Sequence, residues 1–116
     1  MQPLIDNARA FGQRPEEFAG LAEGQSPEVL FIACADSRVV PALITGARPG
    51  ELFELRTAGN IVPPYASEYP TSEAATVEYA EQRLESGHIR LHGWYYEVHT
   101  GAVREHRAAT DTFEAL

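Results

Sequence analysis

The feature that most constrains this chain is an unbroken apolar run, Val29-Leu30-Phe31-Ile32-Ala33-Cys34, bounded by a turn and a polar knot. Six such residues without alternation suit a strand buried on both faces, as in a parallel sheet. The turn before it is Gly24-Gln25-Ser26-Pro27, and the knot after it is Ala35-Asp36-Ser37-Arg38. A short apolar stretch from Val39 to Ile44 follows, then a turn at Arg48-Pro49-Gly50, then Glu51 to Ala58, which alternates as a second strand should. Strand, short crossover, strand is the βαβ plan, so an α/β fold is predicted, with Val29 to Cys34 central in a short parallel sheet.

The flanks complete that plan as one domain over residues 1–116, divided into a helical arm (1–23), a core with its helix (24–86) and a C-terminal strand and hairpin (87–116). Leu4, Ala8 and Phe11 fall at helical spacing and Phe18 and Leu21 continue it, which predicts two helical pieces broken near Arg14-Pro15. Gly59 to Pro70 holds three prolines and reads as an irregular loop. Thr71 or Ser72 can cap the next helix, whose buried stripe is Ala74, Val77, Ala80 and Leu84, ending at Gly87. His88 to His99 reads as a third strand, turned back at Thr100-Gly101 into Ala102 to His106. The last ten residues signal little.

Composition narrows the partners. A formal charge of -8 repels phosphate backbones and anionic lipid, so neither nucleic acid nor a membrane surface is expected. No apolar run approaches the roughly 20 residues of a membrane span, and the N-terminus lacks the basic and apolar regions of a secretory leader. The single cysteine fits a reducing compartment, which makes the cytoplasm the expected location.

The chemistry gathers after the first strand, where open α/β sheets bind ligands. Cys34, Asp36 and Arg38 alternate, so an extended backbone would point all three the same way. Thiolate and carboxylate are plausible zinc donors, and Arg38 can hold Asp36 in a bidentate ion pair. The residues alone leave other readings open: a core cysteine, and an aspartate that caps a helix.

Four segments go further: Gln25-Ser26-Pro27, Cys34 to Val39 (CADSRV), Pro49 to Phe53 (PGELF) and Arg56 to Pro64 (RTAGNIVPP). In that order and spacing they resemble the β-class carbonic anhydrases. Glu78-Tyr79-Ala80 resembles the family's next helix, and Leu91 to Tyr96 with Thr100-Gly101 is similar to its C-terminal hairpin. The resemblance implies reversible hydration of carbon dioxide to bicarbonate by a zinc lyase. There the metal brings the pKa of its water near neutral, and the hydroxide attacks carbon dioxide. It implies Cys34 and Asp36 as zinc ligands and Asp36–Arg38 as the catalytic pair. It implies Gln25, Phe53, Ala58 and Tyr79 as substrate-binding residues, with the cleft often crossing a dimer interface.

The family's second half of the zinc site, a Gly-His-Ser-x-Cys-Gly stretch, is absent, and Cys34 is the only cysteine. At the family's spacing from Tyr79 the histidine and cysteine positions fall on Trp94 and Glu97, as an internal deletion would produce. His88 and His92 share a strand face, so His92 or Glu97 could complete the site if that strand lay beside the first. Otherwise His92 packs within the hairpin and His99 and His106 lie at the surface. Arg56, Asn60 and Glu78 read as loop braces, and the acidic helix face as solvated rather than calcium-binding.

Three functions follow: a reduced zinc hydratase of low activity, a non-catalytic dimerising assembly protein, and a metal-free enzyme using Cys34 as nucleophile. A homodimer or larger is expected, since missing elements expose apolar surface. With two ligands gone, Asp36 should stay on Arg38.

Overall fold

The computed structural model describes residues 1–64, 68–83 and 90–116. Its N-terminal arm is helix α1 (Gln2–Phe11) and the single turn α2 (Pro15–Phe18), continued by a 3-10 turn to Glu23. Pro15 sits in the first turn of α2, where its missing N–H costs nothing, and so sets the predicted break. Phe11 stacks on Phe18 with ring centroids 4.5 Å apart across that break. Beyond that contact the apolar face of α1 is poorly covered, and no α1 residue is buried.

Strands β1 (Val29–Cys34) and β2 (Leu52–Thr57) pair in parallel, Val29 opposite Leu52 and Cys34 opposite Thr57. The crossover holds α3 (Pro41–Thr45), which starts on a proline and ends on Gly46 at φ 69°, a left-handed turn that glycine adopts without a Cβ clash. The α/β class is the predicted one, but β1 is not central. Among the described residues its sheet has two strands, so β1 is an edge, and Val29 and Ile32 stay 47% and 41% exposed. The apolar run marks surface meant to be covered, and the covering is only partial.

Helix α4 (Ser72–Arg83) begins as predicted, with the Thr71 hydroxyl accepting the Ala74 N–H at 3.1 Å. Ala80 is buried and Ala74 and Val77 half-buried along its inner stripe, while Leu84 and Gly87 lie outside the described residues. Tyr79 of α4 meets Phe53 of β2 at 4.8 Å between rings, on the sheet face that carries Leu55. Trp94 meets Phe31 edge-on at 6.0 Å on the opposite face.

The third strand departs from expectation. β3 is only Trp94–Tyr96; His88 lies outside the described residues, and the remainder of His88 to His99 that is described is not strand. It pairs antiparallel with β4 (Val103–Arg107), which pairs with β5 (Thr112–Ala115). It therefore lies in a separate sheet, not beside β1. The predicted hairpin is present, and β5, which gave no clear sequence signal, adds a strand through a turn where Asp111 takes φ 52°. The buried side chains described are few: Ala33, Leu55 and Ala80, with Pro41 fully buried. The radius of gyration, 16.9 Å, exceeds the roughly 13 Å of a compact chain this long.

Candidate functional site

The candidate site is the segment where β1 runs out. The ladder continues one residue past Cys34, with the Ala35 N–H donating to the Thr57 carbonyl at 2.8 Å. There the backbone turns instead of staying extended, because the Asp36 carboxylate accepts the Arg38 N–H at 2.9 Å and the Asp36 carbonyl accepts the Val39 N–H at 3.0 Å. This turn, not strand alternation, brings Asp36 and Arg38 together. Arg38 Nε donates to Oδ1 at 3.0 Å and Nη2 to Oδ2 at 2.7 Å, a fork that engages both carboxylate oxygens. Those side-chain bonds, then the backbone N–H of Arg38, then the Arg38 and Arg56 charges, hold the Asp36 carboxyl well below the usual carboxylate range. The same carboxylate pushes the Arg38 guanidinium up. The Cys34 sulfur is half-buried and accepts the Asp36 N–H at 3.4 Å.

Arg56 reaches this segment from β2. Its Nε and Nη2 donate to the Cys34 carbonyl at 3.2 and 3.0 Å, and Nη2 also donates to the carbonyls of Asp36, at 2.9 Å, and Val39. It is a brace, as its sequence setting suggests, and what it braces is the site itself. Beside it the Thr57 hydroxyl is buried without a hydrogen-bond partner among the described residues. Asn60 takes φ 58°, a left-handed conformation that asparagine tolerates in the turn after β2.

The sequence-predicted residues fall into two groups. Cys34, Asp36, Arg38 and Ala58 lie at the carboxyl end of the strand pair. Phe53 lies at the other end, opposite Leu30, four residues or about 13 Å along the strand from Cys34. Tyr79 packs on Phe53, and Tyr79 with Gln25 lines an open depression that includes Gly20, Glu23, Gly24 and Ser26. One chain thus brings together Gln25, Phe53 and Tyr79, and separately the Cys34 group.

His92 and Glu97 do not join Cys34. His92 Nδ1 is 2.6 Å from Glu105 Oε1, and Glu97 bonds the Thr100 hydroxyl and lies 3.5 Å from His99. Both belong to the antiparallel sheet and its approach, whose own hydrogen bonds claim them. His99 is exposed, whereas His106 is half-buried against Phe113 at 5.3 Å and pairs with Asp111. The sequence reading missed Glu105, which bonds His92 and also Arg107 at 2.9 Å; the alternating charges of Arg104-Glu105-His106-Arg107 were its only signal. Among the described residues no three His, Cys, Asp or Glu side chains form a metal-binding cluster. Zinc takes three or four protein donors. The two here include a carboxylate already held at both oxygens, so the residues do not fit a family-type zinc centre.

The pattern described as carbonic anhydrase matches residues 29–89. The chain is 51% identical over 84 residues to a carbonic anhydrase of Pseudomonas aeruginosa, covering 72% of this chain and 38% of that protein. With a carbonic anhydrase of Synechocystis it shares 41% over 109 residues, covering 90% and 38%. The chain thus spans less than two fifths of these relatives' length. In structure it resembles the β-carbonic anhydrase CcaA at a TM-score of 0.84, over 100% of this chain and 99% of that one; the 23% identity makes this a likeness of fold. A tetrameric β-carbonic anhydrase of Sordaria macrospora aligns at a TM-score of 0.58 and 38% identity, over 72% of this chain and 43% of that one. No helix among the described residues is long and apolar enough to cross a membrane.

Proposed function

This chain belongs to the β-class carbonic anhydrase family, and we propose that it carries that family's carbon dioxide hydratase site in an incomplete and closed form. The observation that carries this reading is the Asp36–Arg38 fork at 2.7 to 3.0 Å, with Cys34 as the one other family ligand present. The family uses zinc; here the carboxylate that would serve it neutralises a guanidinium instead. Nothing in the donor set competes for Asp36, so the ion pair persists and zinc binds weakly. Carbon dioxide and bicarbonate remain the substrates the site resembles most. Gln25, Phe53, Ala58 and Tyr79 are proposed to line their cleft, the Gln25 group of one copy serving the Cys34 end of another in a homodimer or larger assembly.

The chain alone should hydrate carbon dioxide at close to the background rate. The test is stopped-flow hydration with a zinc-supplemented sample, beside Cys34→Ala and a measurement of bound zinc. Substoichiometric zinc and equal, near-background rates are expected. Robust turnover abolished by Cys34→Ala would overturn the reading and reveal a further ligand, which His92→Ala and Glu97→Ala would then locate.

A second reading, a non-catalytic assembly protein, is favoured by the unburied apolar face of α1, where Leu4 is 65% and Phe11 51% exposed. It predicts a stable dimer by light scattering at micromolar concentration with no zinc-dependent rate; a monomer would count against it.

A further inference from the structure

The Asp36–Arg38 pair lies on a turn whose shape is fixed from outside it. Within the turn only short-range bonds act: the Asp36 carboxylate accepts the Arg38 N–H and the Arg38 fork, the Cys34 sulfur accepts the Asp36 N–H, and the Asp36 carbonyl accepts the Val39 N–H. Exposed local turns of this kind open readily on their own. The lasting constraint comes from Arg56, 17 to 22 residues away, whose guanidinium gathers the carbonyls of Cys34, Asp36 and Val39. These are charge-assisted bonds to three carbonyls of one short segment, made in part-buried surroundings. Nη2 meets all three carbonyls, and Nε adds a second bond to the Cys34 carbonyl that fixes the plane of the guanidinium, which a lysine ammonium on a flexible stem does not reproduce. Arg56 itself rides on β2, whose adjacent Thr57 carbonyl holds the Ala35 N–H. The turn is therefore clamped to the sheet at its start, middle and end.

We infer that Arg56 is a positioning residue that keeps the Asp36–Arg38 pair closed by clamping the backbone turn that carries both. This rests on the reading of Asp36 and Arg38 as the reacting pair, but concerns their geometry and not their turnover. Arg56 touches neither side chain of the pair through a hydrogen bond; it acts through the carbonyls between them.

The experiment is nitrogen-15 NMR of the full chain, following hydrogen exchange at the Arg38 Nε–H, at the Arg38 and Val39 amides, and at amides within β1 and β2. Arg56→Ala should speed exchange at the Arg38 Nε–H and the two turn amides by about tenfold or more relative to the strand amides. Arg56→Lys, which keeps the charge, should restore only part of that protection. Arg48→Ala, which removes an arginine from an exposed pair elsewhere, should leave the turn unchanged. Exchange that rises equally in turn and strands, or an Arg38 Nε–H that stays protected in Arg56→Ala, would overturn the inference. Should Arg56→Ala fail to fold, Arg56→Met, which keeps an apolar stem without donors, decides the matter: selective loss of turn protection supports the clamp, and full wild-type protection refutes it. The zinc and hydration measurements bear on the function proposed above independently of either result.

Discussion

The two sheets hold their polar residues in opposite ways. At the end of β1–β2 a guanidinium grips main-chain carbonyls across 17 to 22 residues, so the geometry is written into the backbone. On β3–β5 the bonds join side chains 2 to 13 residues apart: His106 to Asp111, and His92 to Glu105, with Arg107 bridging Glu105 and Glu114. Glu105 and Glu114 stand directly opposite each other, and Arg107 offsets their repulsion. A carbonyl clamp ignores pH over the ordinary range, whereas a carboxylate hub depends on it. The region carrying the candidate chemistry thus has an outer clamp that does not titrate, and it also holds the few buried residues described.

That thin core is the place to break the comparison. Leu55 is the largest aliphatic side chain among the buried residues described, and Leu55→Ala should cost about 3 kcal/mol in chemical denaturation and loosen the turn with the strand pair. Glu105→Ala should act next most strongly, lowering the melting temperature by on the order of a few degrees through loss of the His92 and Arg107 bonds. The hub also has a pH signature. The His92 bond and then the Arg107 charge hold the Glu105 carboxyl below its ordinary value of 4.5. The stability it contributes is present above that value and is lost as pH falls through the depressed one, because the unfolded chain takes up the proton first. Glu105→Gln should therefore flatten the acid limb of a melting-temperature profile. Thr57→Val should stabilise by about 0.5 kcal/mol, since it removes a buried hydroxyl with no partner among the described residues while keeping a β-branched residue in the strand. Arg48→Ala, at an exposed pair with Glu51, should shift melting by no more than about 1 °C.

What the sequence disclosed tracks how local each signal is. β1 and β2 were legible from six-residue apolar and alternating runs, α4 from its cap, and the Asp36–Arg38 pair from two residues at close spacing. β1's place at an edge was not, because burial depends on neighbours that no run of residues encodes. β3 ends at Tyr96 because the Glu97 carbonyl accepts the Thr100 and Gly101 N–H groups in the turn that follows at once. β5 is exposed at all four positions and owes its existence to pairing with β4, not to an apolar stripe. The carbonyl clamp of Arg56 was the least legible feature in detail, since side-chain-to-backbone bonds over twenty residues leave no periodic trace.

The edge position of β1 carries a consequence for symmetry. Among the described residues β1 and β2 pair only with each other, so each keeps one side of its backbone unpaired by strands. If two copies joined through the same edge about a twofold axis, their strands would meet antiparallel. A rotation along the strand direction would set N–H against N–H and carbonyl against carbonyl. Such a dimer closes on itself and carries a mixed sheet. Extension in parallel would have to seat the β1 edge of one copy on the β2 edge of the next. That contact is heterologous and leaves a fresh edge at each end. Closed pairs and open-ended chains would therefore differ in strand direction as well as in size.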